Sequence, residues 1–332
     1  MVQLRGEPRV TRIAVLDDWQ KIARGSADWS ALIARADLHF FDRPFADEDD
    51  AARQLADFDI ILATRERTPF PGSLAARLPK LKMFGMTGAR AALVDTGAMI
   101  ARGITVCTTG AGPSGSSTAE LALGLMLSAA RGIPAGDAAV RDGRFQTGTE
   151  AGPVLDGKTV GLIGLGRIGS RMAAYCNALG MNVLAWSQNL SAEAAAAAGA
   201  VRVAKEELLS AADVVSLHLV LSDRTRGILG AADLARMRPG AILVNTARAQ
   251  LVDEAALIAA VESGRLIAAL DVFYREPLPS SHPLARASNV VLTPHLGYSA
   301  IEVYREYYQQ AVENALAFLD GKPMRALQAA GR

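Results

Sequence analysis

Cysteine is scarce in this chain: Cys107 and Cys176 are the two in 332 residues. Two thiols make neither a disulfide framework nor a metal-ligand spacing, so a reducing, cytoplasmic compartment and no bound metal are expected. Charge of one sign is also missing. The net charge is +1 and no basic run stands out, which argues against nucleic acid as a partner. Long hydrophobic runs are absent. The longest candidate, around Leu121–Ala130, is interrupted at its start by Glu120 and falls short of the roughly 18 residues of a membrane span. The opening MVQLRGEPRVTRIAVLDD lacks the apolar core of a signal peptide. What is present is a globular composition, 50% apolar and 21% charged, in a chain long enough for two domains.

The most informative stretch is Thr159–Ser187, TVGLIGLGRIGSRMAAYCNALGMNVLAWS. Thr159–Ile163 is a short apolar run of strand type, and Gly164-x-Gly166-x-x-Gly169 follows at once. Arg167–Leu179 carries apolar residues at helical spacing, Gly180 stops it, and Met181–Trp186 is a second apolar run. A bare GxGxxG is weak in a chain with 30 glycines, but between a strand and a helix it marks a dinucleotide site. Gly164 makes the tight turn, Gly166 lets the backbone approach a pyrophosphate, and Gly169 lets helix and strand pack closely. The helix N-terminus offers free N–H groups to the phosphates. The carboxylate that would hold a ribose 2′-hydroxyl belongs about 20 residues on. Ser187, Gln188 and Asn189 stand there instead. Nothing in that place repels a 2′-phosphate and no arginine attracts one, so the cofactor is NAD or NADP, with a lean toward NADP.

Apolar runs at Arg12–Leu16, Leu38–Phe41, Ile60–Ala63, Met83–Met86 and Thr105–Thr108 alternate with helical stretches, the pattern of a parallel sheet covered on both faces. This half has no GxGxxG. Gly110–Gly115 reads as a hinge, and Ser116 or Ser117, with Glu120, as the cap of a long apolar helix running to about Arg131. Strands recur at Val201–Val203, Val214–Leu219, Ile242–Asn245, Ile267–Val272 and Val290–Leu292, before a long helix at Ser299–Leu319. The expected architecture is α/β: two doubly wound parallel-sheet domains, with a Rossmann domain (residues 112–295) inserted in a flavodoxin-like substrate domain (1–111 plus 296–332). Strand ends of such sheets face a ligand cleft. Gly152–Thr159, GPVLDGKT, matches the Walker A pattern, but a loop precedes it and a strand follows, the reverse of a P-loop.

Three strand ends carry chemical groups. Asn245-Thr-Ala-Arg248 presents a guanidinium suited to a planar carboxylate, although position alone fits a solvated arginine better. Asp271 and Glu276 lie in ALDVFYREP, where each reads equally well as a solvated loop carboxylate. His295 follows VVLTP, and histidine is a natural general acid or base near neutral pH. His39, His218 and His282 read as structural, with His218 on the cofactor side. Arg65, Arg67 and Arg90 fall near strand ends of the first half and suit either a second anionic group or a pairing with Glu66.

Several blocks in order now carry a resemblance: STAELALGLMLSAARGIP, GLIGLGRIGSRMA, ADVVSLHLVLSDRTRGIL, MRPGAILVNTARAQLVDEAALIAAV, AALDVFYREPLP and NVVLTPHLGY. From Arg12 to about Leu319 the chain resembles the D-isomer-specific 2-hydroxyacid dehydrogenases, the group that includes D-3-phosphoglycerate dehydrogenase and glyoxylate/hydroxypyruvate reductase. The resemblance implies interconversion of a small-molecule 2-oxo acid and a D-2-hydroxy acid by hydride transfer. It implies His295 as general acid/base, Glu276 as its partner, and Arg248 as binder of the substrate carboxylate and carbonyl. Thr87, Gly88 and Ala89 are the implied substrate contacts of the first domain. Implied cofactor contacts are Gly164, Gly166, Arg167, Ile168 and Gly169, then Ser187, Gln188 and Asn189, then His218, Thr225, Thr246 and Ala247. Asp271, at the nicotinamide carboxamide, and Gly297 complete them.

The chain departs from the family pattern at Thr87–Asp95, TGARAALVD where GxGxDNID is usual, at Ser187 in place of an acidic residue, and at Ala249 in place of glycine. Glu276 stands where the formate enzymes of the group have glutamine, so formate dehydrogenase is set aside. The helix after Ser117 resembles the family's dimer-forming segment, and a homodimer is expected. The alternative to an enzyme is a nicotinamide-binding regulatory or corepressor-like protein of the same fold without significant turnover.

Overall fold

The computed structural model describes residues 10–65, 67–88 and 93–328. The chain divides into two compact units, Met1–Pro113 with Ile301–Arg332, and Ser114–Ala300. The second crossing lies beyond Gly297 because the 295–297 turn is tied into unit 2 by hydrogen bonds to Asp271, Ser117 and Thr118.

Unit 1 carries β1 (Thr11–Val15), β2 (Ala36–Phe40), β3 (Ile60–Ala63), β4 (Met83–Met86) and β5 (Thr105–Thr108), all parallel in the order β2-β1-β3-β4-β5. The inner strands β3 and β4 are buried along their whole length, which is why IILA and MFGM show no alternation. Leu55, Phe58, Phe70, Leu74, Phe84 and Val106 belong to the core of this unit. The helix Ile301–Leu319 packs on β4 and buries Tyr304, Tyr307 and Tyr308. Between β1 and β2 the helical stretch is two single turns, Ala23–Ser26 and Ser30–Ile33.

Unit 2 carries β6 (Thr159–Ile163), β7 (Asn182–Trp186), β8 (Val201–Arg202), β9 (Val214–Leu217), β10 (Ala241–Asn245), β11 (Leu266–Leu270) and β12 (Val290–Leu292). Their order is β12-β11-β10-β9-β6-β7-β8, and every pairing is parallel. The order reverses at β6 and β9, the switch point where such sheets bind ligands. Alternate residues serve two cores. Ile242 and Val244 meet Met126, Met172 and Cys176 on one face, while Ala241 and Leu243 meet Leu208, Leu234 and Leu257 on the other. Cys107 and Cys176 are both buried and free, with burial pushing their thiols up to about 11 and about 12. Lys158 of the Walker-like stretch is exposed and runs directly into β6, so no P-loop forms. No helix among the described residues is long and apolar enough to cross a membrane, and none of their acidic, histidine and cysteine side chains cluster as a metal site.

Candidate active site

β6 ends at Gly164, whose φ of +99° requires glycine, and a Cβ there would lie 2.8 Å from the His218 carbonyl group. A Cβ on Gly169 would lie 2.1 Å from the Gly164 carbonyl oxygen, so helix and strand meet at backbone contact. Gly166 faces open space. The first amides of the helix Arg167–Ala178 follow it, with no side-chain cap among the described residues and at the positive end of the helix dipole. Arg167 is exposed, with its side chain close against Gly115, and Ile168 is half-buried.

Beyond β7, Ser187 is half-buried and Gln188 and Asn189 are exposed. Tertiary structure adds a cation that a linear reading does not find. Arg202 of β8 lies in register with Ala185 of β7. Trp186, Gln188, Arg202, Val203 and Lys205 line a cavity of about 400 Å³. Lys205 is already committed to Asp233 at 2.8 Å and to the Ile228 carbonyl at 3.1 Å.

His218 closes β9, and its ring shares a 2.9 Å hydrogen bond with Ser216. Burial pushes its pKa down to about 4, so the imidazole is neutral at pH 7. Thr225 spends its hydroxyl within its own turn, donating to the Val220 carbonyl at 2.7 Å. Thr246 is 6% exposed, and its Oγ1 has no partner among the described residues.

β10 ends at Asn245, a buried amide that shapes the next turn. Its Nδ2 donates to the Arg248 carbonyl at 2.9 Å and its Oδ1 accepts the Ala247 N–H at 3.0 Å. Arg248 is half-buried, and its Nη1 donates to the Ala247 carbonyl at 2.7 Å. β11 leads into Asp271, which is fully buried. The Asp271 carboxylate accepts from Thr293 Oγ1 at 2.6 Å, the Leu296 N–H at 2.7 Å and the Gly297 N–H at 2.8 Å. Burial raises its pKa, and these bonds together with the His295 charge offset part of the rise. The same turn is held from its far side. Ser117 and Thr118 hydroxyls both donate to the Gly297 carbonyl, at 2.8 and 2.9 Å. They lie inside a helix that begins at Ser114, so the expected cap at Ser116 or Ser117 is not their role.

His295 sits at the centre of that turn with φ +54°, a left-handed conformation sustained by the surrounding bonds. Its Nδ1 lies 2.7 Å from Glu276 Oε2, and Glu276 Oε1 accepts the Phe273 N–H at 2.9 Å. Burial alone would raise the Glu276 carboxyl. The His295 hydrogen bond and charge, the Phe273 N–H and the Arg248 charge outweigh it, and the net shift is downward. An ionised carboxylate only accepts, so Nδ1 carries the hydrogen in this contact. Nε2 is then the nitrogen that can exchange a proton.

Unit 1 holds the remaining candidates. Thr87 is buried, and its Oγ1 accepts the Arg65 N–H at 2.9 Å. Gly88, at φ +79°, donates to Thr109 Oγ1 at 2.9 Å, and a Cβ there would lie 2.6 Å from Arg65 Nη1. Arg67 is committed to the Asp17 carbonyl at 2.8 Å and the Tyr304 hydroxyl at 3.0 Å. Ala89, Arg90 and Glu66 lie outside the described residues.

The sequence profile described as "D-isomer specific 2-hydroxyacid dehydrogenase, NAD binding domain" matches residues 123–297. The chain belongs to the D-isomer-specific 2-hydroxyacid dehydrogenase family. It is 36% identical over 280 residues to D-3-phosphoglycerate dehydrogenase of Archaeoglobus fulgidus, covering 83% of this chain and 52% of that one. It is 38% identical over 257 residues to glyoxylate reductase of Aeropyrum pernix, covering 75% and 76%. The crystal structure of a phosphoglycerate oxidoreductase from Vibrio cholerae superposes with a TM-score of 0.89 at 36% identity, covering 94% of this chain and all of that one. The chain spans about half the length of the first curated relatives it matches.

Members of this family carry an NAD(P)-binding domain, and the residues of unit 2 fit that group. Gly164 and Gly169 admit no side chain, Gly166 opens toward solvent at the helix start, and Thr246 Oγ1 is a buried polar atom still without a partner. The linear reading gave no role to Asn245, Thr118 or Thr293, and took Ser117 only as a possible helix cap. These side chains bond to backbone or carboxylate groups distant in the chain, and their signal was limited to lying inside the quoted blocks.

Proposed function

We propose that this dehydrogenase-family chain interconverts a 2-oxo acid and the corresponding D-2-hydroxy acid. The observation that carries this reading is the 2.7 Å contact between His295 Nδ1 and an ionised Glu276. A nicotinamide cofactor held at Gly164, Gly166, Gly169 and Thr246 would supply or accept the hydride. In the reductive direction His295 Nε2 delivers a proton to the carbonyl oxygen, and Glu276 stabilises the imidazolium from the opposite edge of the ring. Arg248 binds the substrate carboxylate and polarises the carbonyl. Asp271 holds the His295 turn, and Thr87 and Gly88 are the substrate-binding candidates of unit 1.

Glyoxylate, hydroxypyruvate, 3-phosphohydroxypyruvate and bulkier 2-oxo acids are the substrates to compare. Loss of nicotinamide absorbance with this panel, run with NADH and with NADPH, tests the reading. Turnover that His295→Gln reduces by roughly 10²–10⁴-fold, with nucleotide affinity retained, supports it. Full turnover in His295→Gln would refute it. NADP is the favoured cofactor, supported by the missing carboxylate at Ser187 and by Arg202 in the adjoining cavity. Arg202→Ala should then raise KM for NADPH more than for NADH. A homodimer is supported by Ile133, Val140, Phe145 and Val154, apolar side chains that are 53–71% exposed between residues 133 and 154. Light scattering reporting a monomer would remove that part of the proposal.

A further inference from the structure

Tyr274 lies two residues before Glu276, and its ring is 42% exposed. Its hydroxyl donates to the Val252 carbonyl at 2.7 Å. Burial and the nearby Glu254 and Asp253 charges raise the phenol above its ordinary value, with Arg226 opposing.

The two ends of this bond belong to different loops. On one side, Phe273 directs its N–H to Glu276 Oε1, so the backbone beside Tyr274 holds the carboxylate that meets His295. On the other side, Val252 closes the short 3-10 turn Ala249–Leu251. Its N–H donates to the Ala249 carbonyl at 3.0 Å, and the Leu251 N–H donates to the Arg248 carbonyl at 3.2 Å. Asn245 fixes the same Arg248 carbonyl from the strand. Backbone and hydrogen bonds together therefore connect the Glu276 loop to the backbone of the Arg248 turn through one phenol. Both loops leave adjacent parallel strands, β10 and β11, whose ladder ends at the Asn245–Leu270 pair. Beyond that pair, the Asp271 N–H still bonds the Asn245 carbonyl, and Tyr274 joins the loops further out.

We propose that Tyr274 is a positioning residue whose hydroxyl latches the Glu276 loop to the Arg248 turn, fixing the carboxylate behind His295 relative to the guanidinium. The assignment rests on the reading of Arg248, Glu276 and His295 as the reacting set. The latch acts on Glu276, and through it on how firmly the imidazolium is held. The charged groups that act on the His295–Glu276 pair are Asp271 and Arg248, and those that act on the phenol are Glu254, Asp253 and Arg226; none of them is changed when the phenol is replaced by phenyl.

Tyr274→Phe in the full chain is the test, because it keeps the ring and removes only the hydroxyl that bonds the Val252 carbonyl. Two measurements are made. The ring resonances of the four histidines are titrated by NMR, with His295→Gln assigning the relevant signal. The 2-oxo acid kinetics and the nucleotide Kd are measured in parallel. The latch predicts that the His295 signal titrates lower by about half a pH unit, since a less firmly held carboxylate stabilises the imidazolium less. It also predicts kcat/KM lower by roughly 3–10-fold, with the nucleotide Kd within about twofold of wild type. A titration midpoint identical to wild type overturns the latch. Wild-type protein that turns over none of the 2-oxo acids would instead overturn the reaction assigned above, and the NMR midpoint would still decide the latch.

Discussion

Replacing Glu276 by Gln removes the negative partner of His295 at nearly constant volume. The contact is 2.7 Å, and the two side chains are 36% and 23% exposed. A hydrogen bond between charged groups contributes roughly 1.5–3 kcal/mol. Solvent exposure of more than a third on the Glu276 side reduces this to about 1–2 kcal/mol. At about 1.4 kcal/mol per pH unit, the imidazolium loses its proton about one unit lower in the variant. The sign differs usefully between the two directions. Reduction of the 2-oxo acid needs the imidazolium, so the basic limb of kcat/KM moves down by about one unit, and the rate above that limb falls roughly tenfold. Oxidation needs the neutral imidazole, so its acid limb moves down as well, and low-pH activity rises relative to the plateau. The plateau itself drops, because glutamine can offer its one carbonyl to Phe273 N–H or to His295 Nδ1–H but not to both. The assay is kcat/KM in both directions from about pH 5 to about pH 10. Limbs that stay in place, or move upward, would refute the assignment of Glu276 as the group that stabilises the imidazolium.

Arg248→Lys keeps the charge but loses the planar fork, and kcat/KM for the 2-oxo acid should fall roughly 10–100-fold with nucleotide affinity unchanged. Steady-state kinetics with direct nucleotide titration checks this. Gly169→Ala drives a methyl against the Gly164 carbonyl oxygen, 2.1 Å from the Cβ position. The overpacking should cost about 1–3 kcal/mol in denaturant unfolding and weaken nucleotide binding at least about tenfold. Asp17, buried at the end of β1, is pushed up by that burial to about 6, against the opposing bonds from Thr68 and Thr64 and the Arg67 charge. Its folded pKa lies above the unfolded value of about 3.9, so it costs stability at pH 7 and that cost vanishes as pH falls through 6 toward 4. Asp17→Asn should therefore gain on wild type at pH 7 by up to about 3 kcal/mol and lose that advantage by about pH 4, measured by urea unfolding at both values.

The sheets were legible in the sequence because parallel strands buried on both faces must be written as unbroken apolar runs, as in IILA and AILVN. The glycine turn was legible because backbone contact at Gly169 and a positive φ at Gly164 exclude side chains and so leave a mark on residue identity. The candidate site was written in the sequence as separate residues at strand ends, Arg248, Asp271, Glu276 and His295, but not as an arrangement. Position alone left each one open to a solvated or structural reading. The distance between His295 and Glu276 depends on two loops leaving different strands of one sheet, and nothing local in either loop encodes it. Arg202 could not be found by spacing from the glycine motif, because it reaches the cavity beside Gln188 from the neighbouring strand β8. Ser117 reads as a helix cap in a linear reading, yet it and Thr118 bond the Gly297 carbonyl, about 180 residues away. Local patterns determined the elements, their order and the chemistry available. The tertiary fold decided which of those groups meet, because hydrogen bonds and ion pairs depend on distances of a few ångströms that only the packed sheet establishes.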